Sequence, residues 1–293
     1  AMRVHALAGR LPGHQGRPPE GEIFERGSPN AWGLFSADEE NGLVFIPTGN
    51  ATPDYWGAHR SENFEHFTSS VVALDSTTGE IRWSFRTVNH DIWDYDVGAQ
   101  PVLVDLPGAD GEVVPALLQA TKRGQVFTLN RLTGEPIDPI EQRPTPQGAA
   151  EGDFTAPTQP FPTRMPPFTG PDLTEADMWG ITPLDQLWCR LEFNKLRYEG
   201  QFTPPSVQGS LQFPGYIGGI NWGAVSVHHG ENIMIANWSR MANRVQLVPR
   251  EEADRRGWDA ADEEGNYSVS MALAAPQMGT PFAVTNAPFM SPL

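Results

Sequence analysis

One turn motif occurs twice in this chain, and that repetition limits the fold more than any other feature. LDSTTGE at 74–80 returns as LNRLTGE at 129–135, each time directly after an apolar, β-branched segment. Asp75 or Asn130 can bond the backbone of the turn it opens, and Gly79 or Gly134 supplies the positive φ that the turn requires. In the first copy Trp83 follows shortly after, where an indole can dock on a neighbouring sheet. The spacing is wrong for heptads and suits a β-propeller blade with its loops; the competing reading is two unrelated hairpins with similar turns.

The flanking segments agree with a sheet-built fold. GLVFIPTG (42–49), SSVVALD (69–75), EIRWSFRTV (80–88), AQPVLVDL (99–106), VVPALLQAT (113–121) and GQVFTLN (124–130) are short and punctuated by Asp, Gly and Pro, as antiparallel strands are. With 29 Gly, 28 Pro, nine Trp and only 19% charged residues, the composition favours many short strands over helices, so an all-β protein is expected. Residues 1–27 lack periodicity and read as an extended lead-in to a domain over 28–293.

A proline-rich insertion from about 136 to 220 interrupts that domain. Thr174 with Asp177 three residues on is a cap signature, and Leu184, Leu187, Trp188 and Leu191 fall at helical spacing after Pro183, as positions expected to face a core. Strand signals resume at 221–229 and 232–239, and the acidic stretch 251–266 is expected to be a solvated loop.

Charge and cysteine usage exclude several functions. A net charge of −16 without any basic stripe argues against a nucleic-acid partner. The single cysteine, Cys189, forbids an internal disulfide framework or a cysteine-rich metal cluster. No window has the apolar length of a membrane span, and the first residues lack the apolar core of a signal peptide. Any anchor is therefore expected in a segment outside this chain, which reads as a piece of something longer.

Chemistry concentrates in VNHDIWDYDVGAQP at 88–101, where Asp91, Asp94 and Asp96 alternate with Ile92, Trp93 and Tyr95 after His90. His228 and His229 are adjacent, so on a strand they point to opposite faces and cannot share an ion. A hard cation needs only oxygens, which Asp94, Thr52, Asn50 and backbone carbonyls can supply. GNATPDYW (49–56), WDYD (93–96) and TKRG (121–124) each stand where a strand gives way to a loop, an arrangement that in a propeller gathers them at one end of the central channel. Lys122 is then either solvated or a fixed donor beside an anion or quinone. Trp32 and Trp222, in SPNAW and INWGA, are either blade packing or flat platforms for a planar ligand.

Read in order, SPNAW, TGNATPDYWG, VALDSTTGEIRWSFRTVNHDIWDYD, TKRGQVFTLNRLTGEPI, GDFTAPTQPF, LTEADMWGITPLDQLWCR, RYEGQFTPPS and NWGAVSV resemble the membrane-bound quinoprotein glucose dehydrogenases, from about residue 28 to 250. The resemblance implies an eight-bladed propeller, here only a partial arc, on the periplasmic side of the bacterial inner membrane. It implies pyrroloquinoline quinone (PQQ) with calcium or magnesium, oxidation of an aldose such as glucose to gluconolactone, and ubiquinone as electron acceptor. By the same resemblance Asp94 is the general base and lies near the metal with Thr52. Lys122 bonds the quinone oxygens, Trp32 is the floor under the cofactor ring, and Asn237 and Trp222 are further cofactor contacts. On a regular strand Asp96 would share the face of Asp94, so a turn is expected to separate them, and Asp91 and Asp96 are left as turn or supporting groups. The chain departs from the family pattern in lacking its membrane helices, its early blades and its closing blades. Two alternatives stand beside glucose oxidation: an alcohol, polyol or cyclic-acid dehydrogenase of the same superfamily, and a non-catalytic propeller scaffold, which has no reason to keep Asp94, Thr52 and Lys122 together.

Overall fold

Alternation along the strands builds the first sheet. In β2 (Leu43–Pro47) the residues Leu43, Phe45 and Pro47 are buried, with half-buried neighbours between them. With β1 (Ser36–Asp38), β3 (Ser70–Asp75) and β4 (Ile81–Arg86) it forms a four-stranded antiparallel sheet in the order β1-β2-β3-β4. Helix α1 (Glu62–Phe67), capped by Ser61, lies between β2 and β3. These elements belong to a computed structural model that describes residues 29–108, 111–231, 233–258, 274–277 and 279–290; the expected lead-in over 1–27 lies outside them.

A second antiparallel meander follows, of β5 (Val102–Pro107), β6 (Val113–Ala120) and β7 (Val126–Asn130). The two sheets share a core: Phe45, Val71, Trp83 and Phe85 from the first meet Leu117, Phe127 and Leu129 from the second. The repeated turns behave alike. Asp75 Oδ1 accepts the Thr77 and Thr78 N–H groups at 2.9 Å, and Asn130 Oδ1 accepts those of Leu132 and Thr133 at 2.9 and 3.3 Å. The expected docking also occurs. Trp83 donates its indole N–H to the Arg131 carbonyl at 3.1 Å, and its ring lies so close to Gly134 that a Cβ there would stand 2.6 Å away.

The insertion is not purely loop and helix. It opens with a hairpin, β8 (Ile140–Pro144) and β9 (Thr158–Pro162), passes through a 3-10 turn at Glu175–Asp177, and continues into α2 (Pro183–Lys195) and β10 (Ser210–Gln212). The cap signature at Thr174 is real, since Asp177 accepts from both its N–H and its hydroxyl at 2.7 Å. The helix is where the spacing placed it, but its apolar stripe is not core. Leu184, Leu187, Trp188 and Leu191 are 80, 51, 43 and 54% exposed, and the buried residues of α2 are Asp185 and Cys189. Periodicity defines a stripe without saying which way it turns. Here Asp185, which accepts from the Ile181 N–H at 2.8 Å, fixes the opposite face inward.

Beyond the insertion, β11 (Val225–His228) and β12 (Ile233–Ala236) pair as a hairpin beside β5. β13 (Asn243–Pro249), β14 (Ala274–Ala275) and β15 (Phe282–Pro288) join β10 in a sheet of order β10-β13-β15-β14. The stretch expected as an acidic loop begins instead as helix α3 (Arg250–Arg255), with Glu251 and Glu252 in its first turn and Arg255 in its last, charges that suit the helix ends. Residues 259–266 of that stretch lie outside the described residues. Among the described residues no helix is long and apolar enough to cross a membrane.

Candidate active site

Three loops meet at one end of the first two sheets: the one after β2, the one joining β4 to β5, and the β6–β7 turn. The Val97 N–H donates to the Thr48 carbonyl at 3.1 Å, tying the first two together. The turn at Thr121–Gly124 is closed by a 2.9 Å backbone bond, and the Thr121 hydroxyl holds the Gln125 carbonyl at 2.7 Å. Lys122 is thus projected from a braced turn rather than from a free loop.

Its ammonium group is buried, and it donates to Asp94 Oδ1 at 2.9 Å, to the Asp94 carbonyl at 3.0 Å and to Asp96 Oδ2 at 2.6 Å. An ammonium has three protons, so all of them are engaged. Asp94 sits at φ +57°, a turn that was expected to separate it from Asp96. Both carboxylates nonetheless reach the same lysine, so Asp96 is a direct partner of Lys122 as well as a brace, accepting the Asn50 N–H on its other oxygen.

The three charges shape one another. Burial, reinforced by the nearby Asp96 and Asp54, lifts the Asp94 pKa well above the usual carboxylate range, although Lys122 opposes the shift. Burial acts on Asp96 too, but there the attraction and hydrogen bond of Lys122 and the Asn50 N–H prevail and hold its pKa low. Asp94 is therefore the more basic member of the pair. Lys122 is held above its ordinary value because its two carboxylate partners outweigh its own burial. Burial, with help from Asp96, pushes Asp54 up to about 6. One lysine thus faces three carboxylates.

The remaining expected residues fall in different places. Trp32 is 45% exposed, its ring centroid lies 5.9 Å from Lys122 Nζ, and its edge packs on Gly98, where a Cβ would be 2.5 Å from the ring. Thr52 is exposed between Asn50 and Asp54 in the loop that meets Asp96. Asn50 is not a free donor to a cation: its side-chain oxygen already accepts from the Ala51 N–H at 2.8 Å and the Thr68 hydroxyl at 3.1 Å. Trp222 and Asn237 are not brought against Lys122 or Asp94. Their segments are joined to the Lys122 turn through the backbone, the Gly219 N–H bonding the Lys122 carbonyl at 2.5 Å and the Ser239 N–H bonding the Gly219 carbonyl at 2.8 Å. Trp222 is 73% exposed there, and Asn237 is exposed just past the end of β12.

Sequence reasoning missed Asp54, Asn221 and Arg60. Asn221 stands with its Oδ1 2.9 Å from where a Gly98 Cβ would be, beside Trp32. Asp54 lay inside the TPDYW motif, but a lone acid in a loop carries no signal of burial. A cavity of about 820 Å³ lies on the insertion side, lined by Arg143, Phe161, Arg164, Asp172 and Gln201; it does not include the Lys122 cluster, which opens at the surface beside Trp32.

The chain is 46% identical over 283 residues to the glycerol dehydrogenase large subunit of Gluconobacter oxydans (strain 621H), covering 95% of this chain and 38% of that protein. It is 42% identical to the quinoprotein glucose dehydrogenase of Escherichia coli (strain K12), with 94 and 34% covered, and 40% identical to a probable quinate dehydrogenase (quinone) of Xanthomonas campestris pv. juglandis, with 94 and 34% covered. The chain therefore spans little more than a third of the curated relatives that it matches. Among solved structures, a europium-containing methanol dehydrogenase shares the fold, with a TM-score of 0.51 at 17% identity, covering 89% of this chain and 34% of that one. The family model for PQQ glucose/ethanol/alcohol dehydrogenases, β-propeller domain, matches residues 9–293, and the chain belongs to that family.

Proposed function

We propose that this chain supplies the proton-accepting side of a PQQ-dependent dehydrogenase that oxidises a hydroxyl group of an aldose or a polyol. The observation that carries this reading is the Lys122–Asp94–Asp96 cluster set beside the exposed face of Trp32. A planar, anionic cofactor matches those surroundings: a flat ring to lie on and a fixed ammonium at its edge. Trp32 would hold it by stacking and Lys122 by its charge, its three protons being engaged within the cluster, with Trp222 and Asn237 at its margin. The donor set also suits calcium or magnesium, since Asp94, Thr52 and loop carbonyls are hard oxygens and the cluster has more carboxylates than cations. Among the described residues no three His, Cys, Asp or Glu side chains converge closely enough to hold an ion by themselves, so Thr52 and carbonyl oxygens are needed in the set.

When bound, the quinone accepts the electron pair and hydrogen from the substrate carbon. The residues of this chain perform the rest. Asp94, the more basic carboxylate, takes the hydroxyl proton, and a base whose pKa is raised above the usual carboxylate range is better matched to that transfer than an ordinary carboxylate. Lys122 fixes the orientation of Asp94 through two hydrogen bonds, one to its carboxylate and one to its carbonyl.

Relatives named for glycerol, glucose and quinate align along nearly the whole chain, so a polyol, an aldose or a cyclic hydroxy acid all fit the same base. A quinone acceptor is supported by the name of the quinate relative; ubiquinone in particular, a periplasmic setting and attachment to the membrane through a segment outside this chain rest on the resemblance read from the sequence. The test is a substrate panel on the complete polypeptide reconstituted with PQQ and calcium, following dye reduction with glycerol, glucose and quinate. Turnover of one of them that is abolished by Asp94→Asn, with cofactor absorbance retained, supports the reading. Full turnover by that variant overturns it.

A further inference from the structure

Asp94 is one of six non-glycine residues at positive φ among those described, and two others adjoin Asp91: His90 (φ +46°) precedes it in the chain and Ser69 (φ +45°) bonds it. Such conformations persist only where the surroundings impose them. Around Ser69 and Asp94 the surroundings are gathered by the Asp91 carboxylate, which is fully buried. Its Oδ1 accepts the Trp93 N–H at 2.9 Å, and its Oδ2 accepts both the Tyr95 N–H at 3.0 Å and the Ser69 hydroxyl. The N–H groups of the two residues on either side of Asp94 are therefore tied to one carboxylate. A completely buried guanidinium stands behind it. Arg60 donates to the Asp91 carbonyl at 2.6 Å and to the Pro53 carbonyl at 2.7 Å, and Pro53 follows Thr52.

We infer that Asp91, backed by Arg60, is a positioning residue for the reaction: it sets the direction in which Asp94 points and holds the Asp94 loop in register with the Thr52 loop. This rests on the reading of Asp94 as the base. Lys122 bonds Asp94 and Asp96 and neither Asp91 nor Arg60, so their hold on Asp94 passes through the backbone, beside a through-space charge effect on Asp96 and Asp54. The geometry explains why a carboxylate rather than an amide stands at 91. It meets three donors and presents only acceptors, whereas an asparagine of the same shape turns an NH2 group against at least one N–H or hydroxyl.

The experiment uses the complete, reconstituted protein carrying Asp91→Asn and, as a milder change, Ser69→Ala, which removes one of the three donors and leaves the Asp91 carboxylate in place. The expected result for Asp91→Asn is a kcat lower by about 100-fold with KM little changed, because a misplacement of the base by about 1 Å has that order of effect. For Ser69→Ala a loss of roughly fivefold is expected, in line with one hydrogen bond. In the protein without cofactor, amide hydrogen exchange over 92–97 should quicken in both variants while protection of β2–β4 is kept, which a purely structural role would not produce. Unchanged kcat together with unchanged exchange over 92–97 overturns the inference, as does a kcat loss matched by an equal loss of folded protein. An Asp94→Asn control separates the two claims. If that variant is inactive while Asp91→Asn and Ser69→Ala behave as wild type, the positioning role alone fails.

Discussion

The segment 88–97 and helix α2 reverse the usual relation between residue type and burial. The first carries three aspartates and a histidine and is almost wholly buried; the second carries Leu184, Leu187, Trp188 and Leu191 and leaves them in solvent. The difference lies in partners. Asp91 has three donors and Asp96 has two, Asp94 has Lys122, and His90 is held between Glu65 and Asp153 at 3.0 Å each. Burial of charge is tolerated when each group is met in this way. The α2 stripe joins none of the hydrophobic clusters among the described residues, and apolar area of that kind on a folded surface is unusual.

The contrast can be broken from the buried side. Asp94→Asn in the complete enzyme should lower kcat by roughly 100- to 10,000-fold, the range for loss of a general base, as measured by dye reduction. Next in size is Lys122→Met, which leaves two adjacent carboxylates without their cation. A loss of about 3–5 kcal/mol in urea unfolding is expected, comparable to breaking other buried pairs from one side.

His90→Gln tests the segment by pH. Burial works against the charged imidazole, but the hydrogen bonds that it donates to Asp153 and Glu65 outweigh that, so the folded pKa of His90 lies above its ordinary value. That stabilisation is complete below the unfolded pKa of about 6.5 and is lost as pH rises through the higher folded value. The variant should therefore be less stable than wild type by an amount of order 1 kcal/mol at pH 6, and the gap should shrink by pH 9; a gap that grows with pH would refute the ion-paired assignment. The smallest effect belongs to α2. Leu184→Gln and Leu187→Gln should each change unfolding free energy by less than about 0.5 kcal/mol, because no packing is lost. A large destabilisation in urea would mean that the stripe is covered after all.

Much of the fold could be read from local sequence. The turn at LDSTTGE depends on a side chain and a glycine within a few residues of each other, and the six expected strands β2–β7 are set by short apolar runs bounded by breakers. The site was legible only where a loop motif carried its own chemistry, as WDYD and TKRG do. What escaped depended on distance in the chain. Arg60 reaches Asp91 from 31 residues away, and nothing in its own neighbourhood signals a buried guanidinium. The joint hold of Lys122 on Asp94 and Asp96 is not legible locally, because a turn between two acids ordinarily parts them, whereas this turn folds both toward one donor. The outward face of α2 could not be read from spacing, which is indifferent to direction.

Trp83 and Gly134 also bear on how the protein is made. The ring belongs to the first sheet and its seat to a turn that closes the second, so a ribosome delivers the indole well before the surface that receives it. Until residue 134 emerges, the nascent first sheet carries an open aromatic edge. Its completion is tied to the pace of translation, and a pause between the two turns would prolong the interval in which that edge is free to meet another chain.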